Sequence, residues 1–179
     1  GSVIGKVIVS HPDFAGFHFT GSTATFNTIW RQIGEHLGAY KSYPRIVGET
    51  GGKNFIFAHP SAPADEVAAA IVRGAFEYQG QKCSAGSRAY IPASLWKEVK
   101  ERVGDMLKEI KTGDVRDFTN FVNAVIDETS FDNIMGYIEH ARQAPDAEIL
   151  FGGKGDKSVG YFVEPTVILT TNPAFKTMT

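Results

Sequence analysis

The 179-residue sequence predicts an α/β fold, with a largely parallel sheet flanked by helices. Short runs rich in β-branched and aromatic residues alternate with stretches in which apolar residues recur every three or four positions. Glycine, proline and serine punctuate the boundaries, and the nineteen glycines cluster at turns rather than in a repeat.

In chain order, Val3 to Val9 is short and β-branched and reads as a strand before the turn at Ser10-His11-Pro12-Asp13. Gly16 to Thr20 is a second strand, with Phe17 and Phe19 on one face. Gly21 breaks it and Ser22 caps a helix whose stripe is Phe26, Ile29, Trp30, Ile33 and Leu37, up to Gly38. Arg45-Ile46-Val47 is a strand running into Gly48-Glu49-Thr50-Gly51-Gly52, and Asn54 to Ala58 is the next, closed by His59-Pro60. Asp65 to Tyr78 reads as a helix with Val67, Ala68, Ile71, Val72, Ala75 and Phe76 inward, stopping at Gly80. Ser87 to Ile91 is a strand ended by Pro92. Ser94 is expected to cap a long amphipathic helix with Leu95, Trp96, Val99, Val103, Met106, Leu107 and Ile110 inward, ended by Gly113. Thr129 to Arg142 is a third such helix, burying Phe131, Ile134, Met135 and Ile138. Glu148 to Phe151 and Tyr161 to Leu169 are strands around the loop Gly152-Gly153-Lys154-Gly155.

Composition excludes several classes. With 42% hydrophobic and 21% charged residues the chain is an ordinary globular one, and a net charge of −2 argues against a dedicated nucleic-acid binder. A single cysteine makes no internal disulfide, and no apolar run approaches the roughly 18 residues of a membrane helix. No targeting segment is visible, and Gly1-Ser2 reads as an added dipeptide, so the natural start is expected elsewhere.

Three features bear on chemistry. Cys83 sits in Gly80-Gln81-Lys82-Cys83-Ser84-Ala85-Gly86, among small and polar neighbours, where an adjacent cation favours the nucleophilic thiolate. The competing reading is an inert thiol that fills space, as most lone cysteines do. Glu49 lies between a strand and two glycines, where burial would turn a carboxylate into a general base; otherwise it is a loop residue facing Lys53 or water. The strand–Gly21-Ser22–helix unit resembles a phosphate-binding turn, although it lacks the full dinucleotide fingerprint and plain N-capping explains Ser22 equally well. The five histidines are scattered without metal-ligand spacing.

Taken together, Phe19-Thr20-Gly21-Ser22-Thr23, Gly48-Glu49-Thr50-Gly51-Gly52-Lys53-Asn54 and Gly80-Gln81-Lys82-Cys83-Ser84-Ala85, in that order, resemble the aldehyde dehydrogenase superfamily. Gly160-Tyr161-Phe162-Val163-Glu164-Pro165-Thr166 fits its catalytic domain. Tyr43-Pro44-Arg45, Ala75-Phe76-Glu77-Tyr78 with Gln81-Lys82, and Asn123-Ala124-Val125-Ile126-Asp127 resemble its delta-1-pyrroline-5-carboxylate dehydrogenase branch. The resemblance covers the chain from about Val3 to Thr179.

The resemblance implies residues 1–48 as the tail of a Rossmann-type NAD-binding domain and 49–179 as the first part of a catalytic domain. It implies Cys83 as nucleophile, Glu49 as general base and NAD as cofactor, with Gly21, Ser22, Thr23, Ala24 and Thr25 at its pyrophosphate; Lys82 and Ser84 flank the substrate. It further implies an internal fragment of a longer homo-oligomeric enzyme that oxidises L-glutamate γ-semialdehyde to glutamate in proline catabolism. That enzyme is intracellular, in the mitochondrial matrix of a eukaryote or the cytoplasm of a bacterium. The isolated chain is expected to be inactive and to engage neither nucleic acid nor membrane. Another semialdehyde, a non-catalytic folding or binding module, and a cysteine hydrolase are the alternatives.

Overall fold

The computed structural model describes residues 2–179. It is an α/β structure that divides into two units, one ending at Gly52 and one beginning at Lys53.

The first unit opens with helix α1 (Ser2–Val9) where the β-branched run predicts a strand. The run never alternates polar with apolar, so no strand face is specified, and β-branching is only a weak bias against helix. The Ser10 hydroxyl closes the helix on the carbonyls of Lys6 (3.0 Å) and Val7 (3.2 Å), and Val9 packs with Phe14 and Ile33 in the core of this unit. Strand β1 (Gly16–Gly21) then leads through the N-cap Ser22 into α2 (Thr23–Glu35), and β2 (Arg45–Thr50) returns parallel to β1. α2 ends two residues before the expected stop, with His36 as C-cap, and Gly38 lies in a following 3-10 turn. Ile33 is the stripe residue that is fully buried, whereas Trp30 and Leu37 remain exposed. An aromatic row, Phe17–Phe19–Phe26–Trp30, with ring centroids 5.8, 5.9 and 5.5 Å apart, joins β1 to α2.

The second unit begins with β3 (Asn54–Phe57), crosses through α3 (Ala64–Phe76) and returns in parallel strand β4 (Gly86–Tyr90). α3 carries Asp65 and Glu66 in its first turn and Arg73 in its last, matching the helix dipole. It ends at Phe76 rather than Tyr78, because Tyr78 turns left-handed. α4 (Ala93–Glu109) starts one residue before Ser94, with Pro92 in the cap position and no side-chain cap, and it ends well before Gly113. The Pro92 carbonyl accepts from the N–H groups of Leu95 (3.0 Å) and Trp96 (3.1 Å), so the first turn closes without a serine cap. Val99 and Val103 of α4 pack against Val67, Ala68 and Val72 of α3 and form the main core. α5 (Glu128–Gln143) is capped by Asp127, whose carboxylate accepts from Ser130 N–H at 2.7 Å.

The last third pairs antiparallel instead of extending a parallel sheet. β5 (Ala147–Phe151) pairs with β8 (Val167–Thr170), and β6 (Gly155–Asp156) pairs with β7 (Phe162–Val163). No helix separates these strands: only residues 157–161 join β6 to β7, too few for a parallel crossover, and β5 reaches β8 through that hairpin. Pro165 supplies no ladder donor, and the expected strand from Tyr161 to Leu169 is split around it. Among the described residues, no helix is long and apolar enough to cross a membrane.

Two predictions follow from this packing. Val99 is fully buried, so Val99→Ala is expected to lower the unfolding free energy by about 2 kcal/mol, read from the shift in denaturant midpoint. Arg116 donates to the Asp114 carboxylate through its side chain (2.6 Å) and its backbone N–H (2.8 Å), which lowers the Asp114 pKa to about 2. A depressed carboxyl stabilises the fold above its ordinary value and loses that contribution as the pH falls through about 2. A carboxyl-carbon NMR titration should show that midpoint, returning toward roughly 4 in Arg116→Ala.

Candidate functional site

Cys83 is exposed and unpaired. It stands in the connection from α3 to β4, in a turn closed by Ala85 N–H on the Lys82 carbonyl at 3.1 Å. That bond leaves the Cys83 N–H outside the turn's own hydrogen bonding. From the start of β3, the Asn54 side-chain amide donates to the Cys83 carbonyl. The thiol is therefore presented on a short, held turn rather than packed into the core. Ser84 is exposed beside it.

Lys82 has a different engagement from the one its position suggests. Its ammonium donates to Glu77 Oε2 at 2.7 Å, and the opposite oxygen of Glu77 accepts from Arg73 at 3.1 Å. The Glu77 carboxyl is held below its usual range, first by the Lys82 hydrogen bond and charge and then by Arg73. The cation next to the cysteine is thus balanced by a carboxylate from the end of α3. Sequence adjacency cannot show this, since it depends on the chain turning back after Phe76.

In the first unit, the parallel register sets Thr20 opposite Glu49 and Gly21 opposite Thr50. Glu49 belongs to β2, two residues beyond the expected strand end at Val47, and it is exposed rather than buried. Glu49 and the Gly21–Ser22 turn therefore emerge at the same carboxyl-terminal edge of one strand pair. In open α/β sheets that edge is where ligands bind.

The turn itself begins α2. Ser22 Oγ accepts from Thr25 N–H at 3.2 Å and donates to Thr25 Oγ1 at 2.8 Å. Ser22, Thr23, Ala24 and Thr25 are all exposed. The first N–H groups of a helix have no intrahelical acceptor and share the positive end of its dipole, so this end suits an anionic group. Gly21 serves packing more than ligand approach: a Cβ there would stand 2.6 Å from the Phe19 ring. Gly48 similarly makes room for Phe26.

The expected residues thus fall in two groups, with Gly21 to Thr25 and Glu49 in the first unit and Lys82, Cys83 and Ser84 in the second. Asn54, which bonds the Cys83 carbonyl, and Gln79 and Gln81, which precede the turn and bond to Ala124 and Ile126, were not assigned a role by sequence reasoning. Their one signal is chemical, as side-chain amides next to a glycine turn. A largely apolar cavity of about 540 Å3 lies behind the turn, lined by Phe76, Gln79, Gly80, Val122, Val125 and Ile138 among others; Cys83 is outside it. Lys53 and Arg88 reach the chain's final residues, donating to the carbonyls of Thr177 (2.8 Å) and Met178 (2.9 Å). Burial, and secondarily Arg88, pushes the Lys53 pKa down. No group of three potential metal ligands occurs among the described residues.

Comparison with known proteins agrees from end to end. The chain is 54% identical over 180 residues to the mitochondrial delta-1-pyrroline-5-carboxylate dehydrogenase of Dictyostelium discoideum, covering 99% of this chain and 32% of that protein. It is 50% identical over 179 residues to the enzyme of the same name from Danio rerio, again covering 99% and 32%. The crystal structure of the Mycobacterium tuberculosis delta-pyrroline-5-carboxylate dehydrogenase bound with NAD matches with a TM-score of 0.91 at 46% identity, covering 95% of this chain and 32% of that one. The chain therefore spans about a third of the length of these relatives. The pattern of the aldehyde dehydrogenase family matches residues 1–179, and the chain belongs to that family.

Proposed function

We propose that a full-length protein carrying this segment oxidises L-glutamate γ-semialdehyde, derived from delta-1-pyrroline-5-carboxylate, to L-glutamate with NAD, in proline catabolism. The observation that carries this reading is the match, over nearly the whole chain, to relatives named for that activity. The exposed Cys83 turn and the shared strand edge of Glu49 and Ser22 support it. In this reading the first unit is the end of the cofactor domain and the second the start of the catalytic domain, with the boundary at Gly52 rather than the expected residue 48. The large apolar side chains left exposed on α1, Val3, Ile4, Val7 and Ile8, fit a surface that further chain or a second subunit covers. The mitochondrial relatives support an intracellular setting in a eukaryote, the matrix; for a bacterial protein the reading is the cytoplasm.

The chemistry follows from the residues. The Cys83 thiolate attacks the aldehyde carbon, and the carbonyl π-electrons move onto oxygen to give a tetrahedral thiohemiacetal alkoxide. The Cys83 backbone N–H, outside its turn's hydrogen bond, donates to that alkoxide. Gly21 to Thr25 hold the diphosphate of NAD, which when bound supplies the hydride acceptor. Hydride loss from the former aldehyde carbon leaves an acyl thioester on Cys83. Glu49 takes a proton from water, the hydroxide adds to the thioester carbonyl, and the C–S bond breaks to return the thiolate and release the carboxylate. Lys82 and Ser84 flank the substrate, with the Lys82 charge shared with Glu77.

In the full-length protein, Cys83→Ala is expected to abolish NADH formation from glutamate semialdehyde, followed at 340 nm. Glu49→Gln should lower steady-state turnover by about 10²–10⁴-fold while keeping a burst of NADH equal to the enzyme concentration, because acylation precedes the base-dependent step. Unchanged turnover in either variant would overturn the assignment. A preference for a different semialdehyde would leave the chemistry and change the substrate, and NAD-independent ester cleavage alone would favour a hydrolase. The 179-residue chain by itself should form no NADH, since it holds about a third of the relatives' length; measurable turnover by the purified chain would contradict that.

A further inference from the structure

We propose that Gln79 and Gln81 are positioning residues for Cys83, and that their side-chain amides tie the cysteine turn to the backbone of Ala124 and Ile126. The proposal rests on reading Cys83 as the nucleophile. It gives a role to the Asn123–Asp127 stretch, which the catalytic steps leave unused.

The need for a tie begins at the end of α3. Tyr78 and Gln79 have φ of 56° and 57°, followed by Gly80 at 68°. Two consecutive non-glycine residues in the left-handed region are disfavoured by contact between Cβ and the following carbonyl. Such a conformation persists only where its surroundings hold it. A Cβ on Gly80 would stand 2.8 Å from the Ala75 carbonyl oxygen, so the path is tight as well as strained.

The side chains supply the restraint. Gln79 Nε2 donates to the Ala124 carbonyl at 3.1 Å, and Gln81 Oε1 accepts from the Ile126 N–H at 2.9 Å. The Gln81 N–H donates back to the Tyr78 carbonyl at 3.1 Å. The orientation of the Gln79 amide follows from its partner, because a carbonyl can only accept; its Oε1 is left buried without a partner among the described residues. The two glutamines therefore use opposite ends of their amides on the same segment.

That segment is itself fixed. Val122 and Val125 are buried, the Val125 N–H donates to the Tyr161 carbonyl at 2.9 Å, and Asn123 Nδ2 donates to the Gly113 carbonyl at 2.9 Å. Asn54 holds the far side of the turn through the Cys83 carbonyl. The thiol and the N–H of Cys83 are then placed by a rigid anchor, although neither glutamine needs to touch the substrate. Misplacement of a reacting group by about 1 Å can cost on the order of 10²-fold in rate.

The same isosteric change separates the two roles. In the full-length protein, Gln79→Glu removes the donor to Ala124, whereas Gln81→Glu keeps an acceptor for Ile126 N–H. Gln79→Glu and Gln81→Leu should lower kcat by roughly 10-fold or more, with KM for NAD within about 2-fold, and Gln81→Glu should recover most of the loss. The iodoacetamide alkylation rate of Cys83, read by mass shift, should change several-fold in the two impaired variants and little in Gln81→Glu. Val99→Ala is the control for stability, lowering the unfolding midpoint with kcat and alkylation unchanged. If the glutamine variants behave like Val99→Ala, or if both Gln→Glu changes act alike, the proposal is wrong. Retained dehydrogenase activity in Cys83→Ala would overturn the nucleophile reading instead; the alkylation rates judge the clamp separately.

Discussion

Parallel pairing is the constraint on which both units depend. Two parallel strands cannot be joined by a tight turn, so each pair needs a crossover of a dozen residues or more, here α2 between β1 and β2 and α3 between β3 and β4. The crossover returns the chain to the same end of the pair at which the first strand began. In the first unit this aligns the two carboxyl ends, so the Gly21–Ser22 turn and Glu49 share one edge although α2 separates them in sequence. In the second unit it makes the segment between α3 and β4 come back beside the start of β3, where Asn54 meets the Cys83 carbonyl. The candidate residues thus lie near the ends of the strand pairs.

Electrostatics and packing then adjust what these residues can do. A lysine beside a cysteine is a ready explanation for thiolate formation, but Lys82 shares its charge with Glu77, and Arg73 shares in that carboxylate from α3. Lys82 therefore belongs to a small cluster with both signs rather than standing as a lone cation. Gly21 has a comparable double aspect. It lies in the turn from β1 to α2, yet the nearest object to its missing Cβ is Phe19, part of the aromatic row joining β1 to α2.

Most elements were legible because helical and strand periodicities are local. Ile33, Val67, Ala68, Val72, Val99, Val103 and Ile138 were all assigned inward by spacing and are buried. The departures occur where a local rule had a competitor. The apolar run of α1 lacks alternation, so β-branching misdirected it; Ser94 follows a proline able to begin the helix without it; Pro165 breaks a run that hydrophobicity alone would continue. The α3 helix ends early because Tyr78 and Gln79 adopt a left-handed conformation that nothing in their residue types favours.

The sequence by itself determined the α/β class, the order of helices and strands from β1 to β5, and the positions of the lone cysteine, the glutamate and the Gly-Ser turn, because residue type and short-range spacing carry all of these. Tertiary structure alone decided that Thr20 lies opposite Glu49, that Lys82 turns to Glu77, and that Gln79 and Gln81 reach the Ala124–Ile126 backbone. It also decided that the last strands pair antiparallel. The physical reason is distance along the chain. Periodicity and capping act within a few residues, whereas register and long-range hydrogen bonds form only after burial of the core has brought remote segments together.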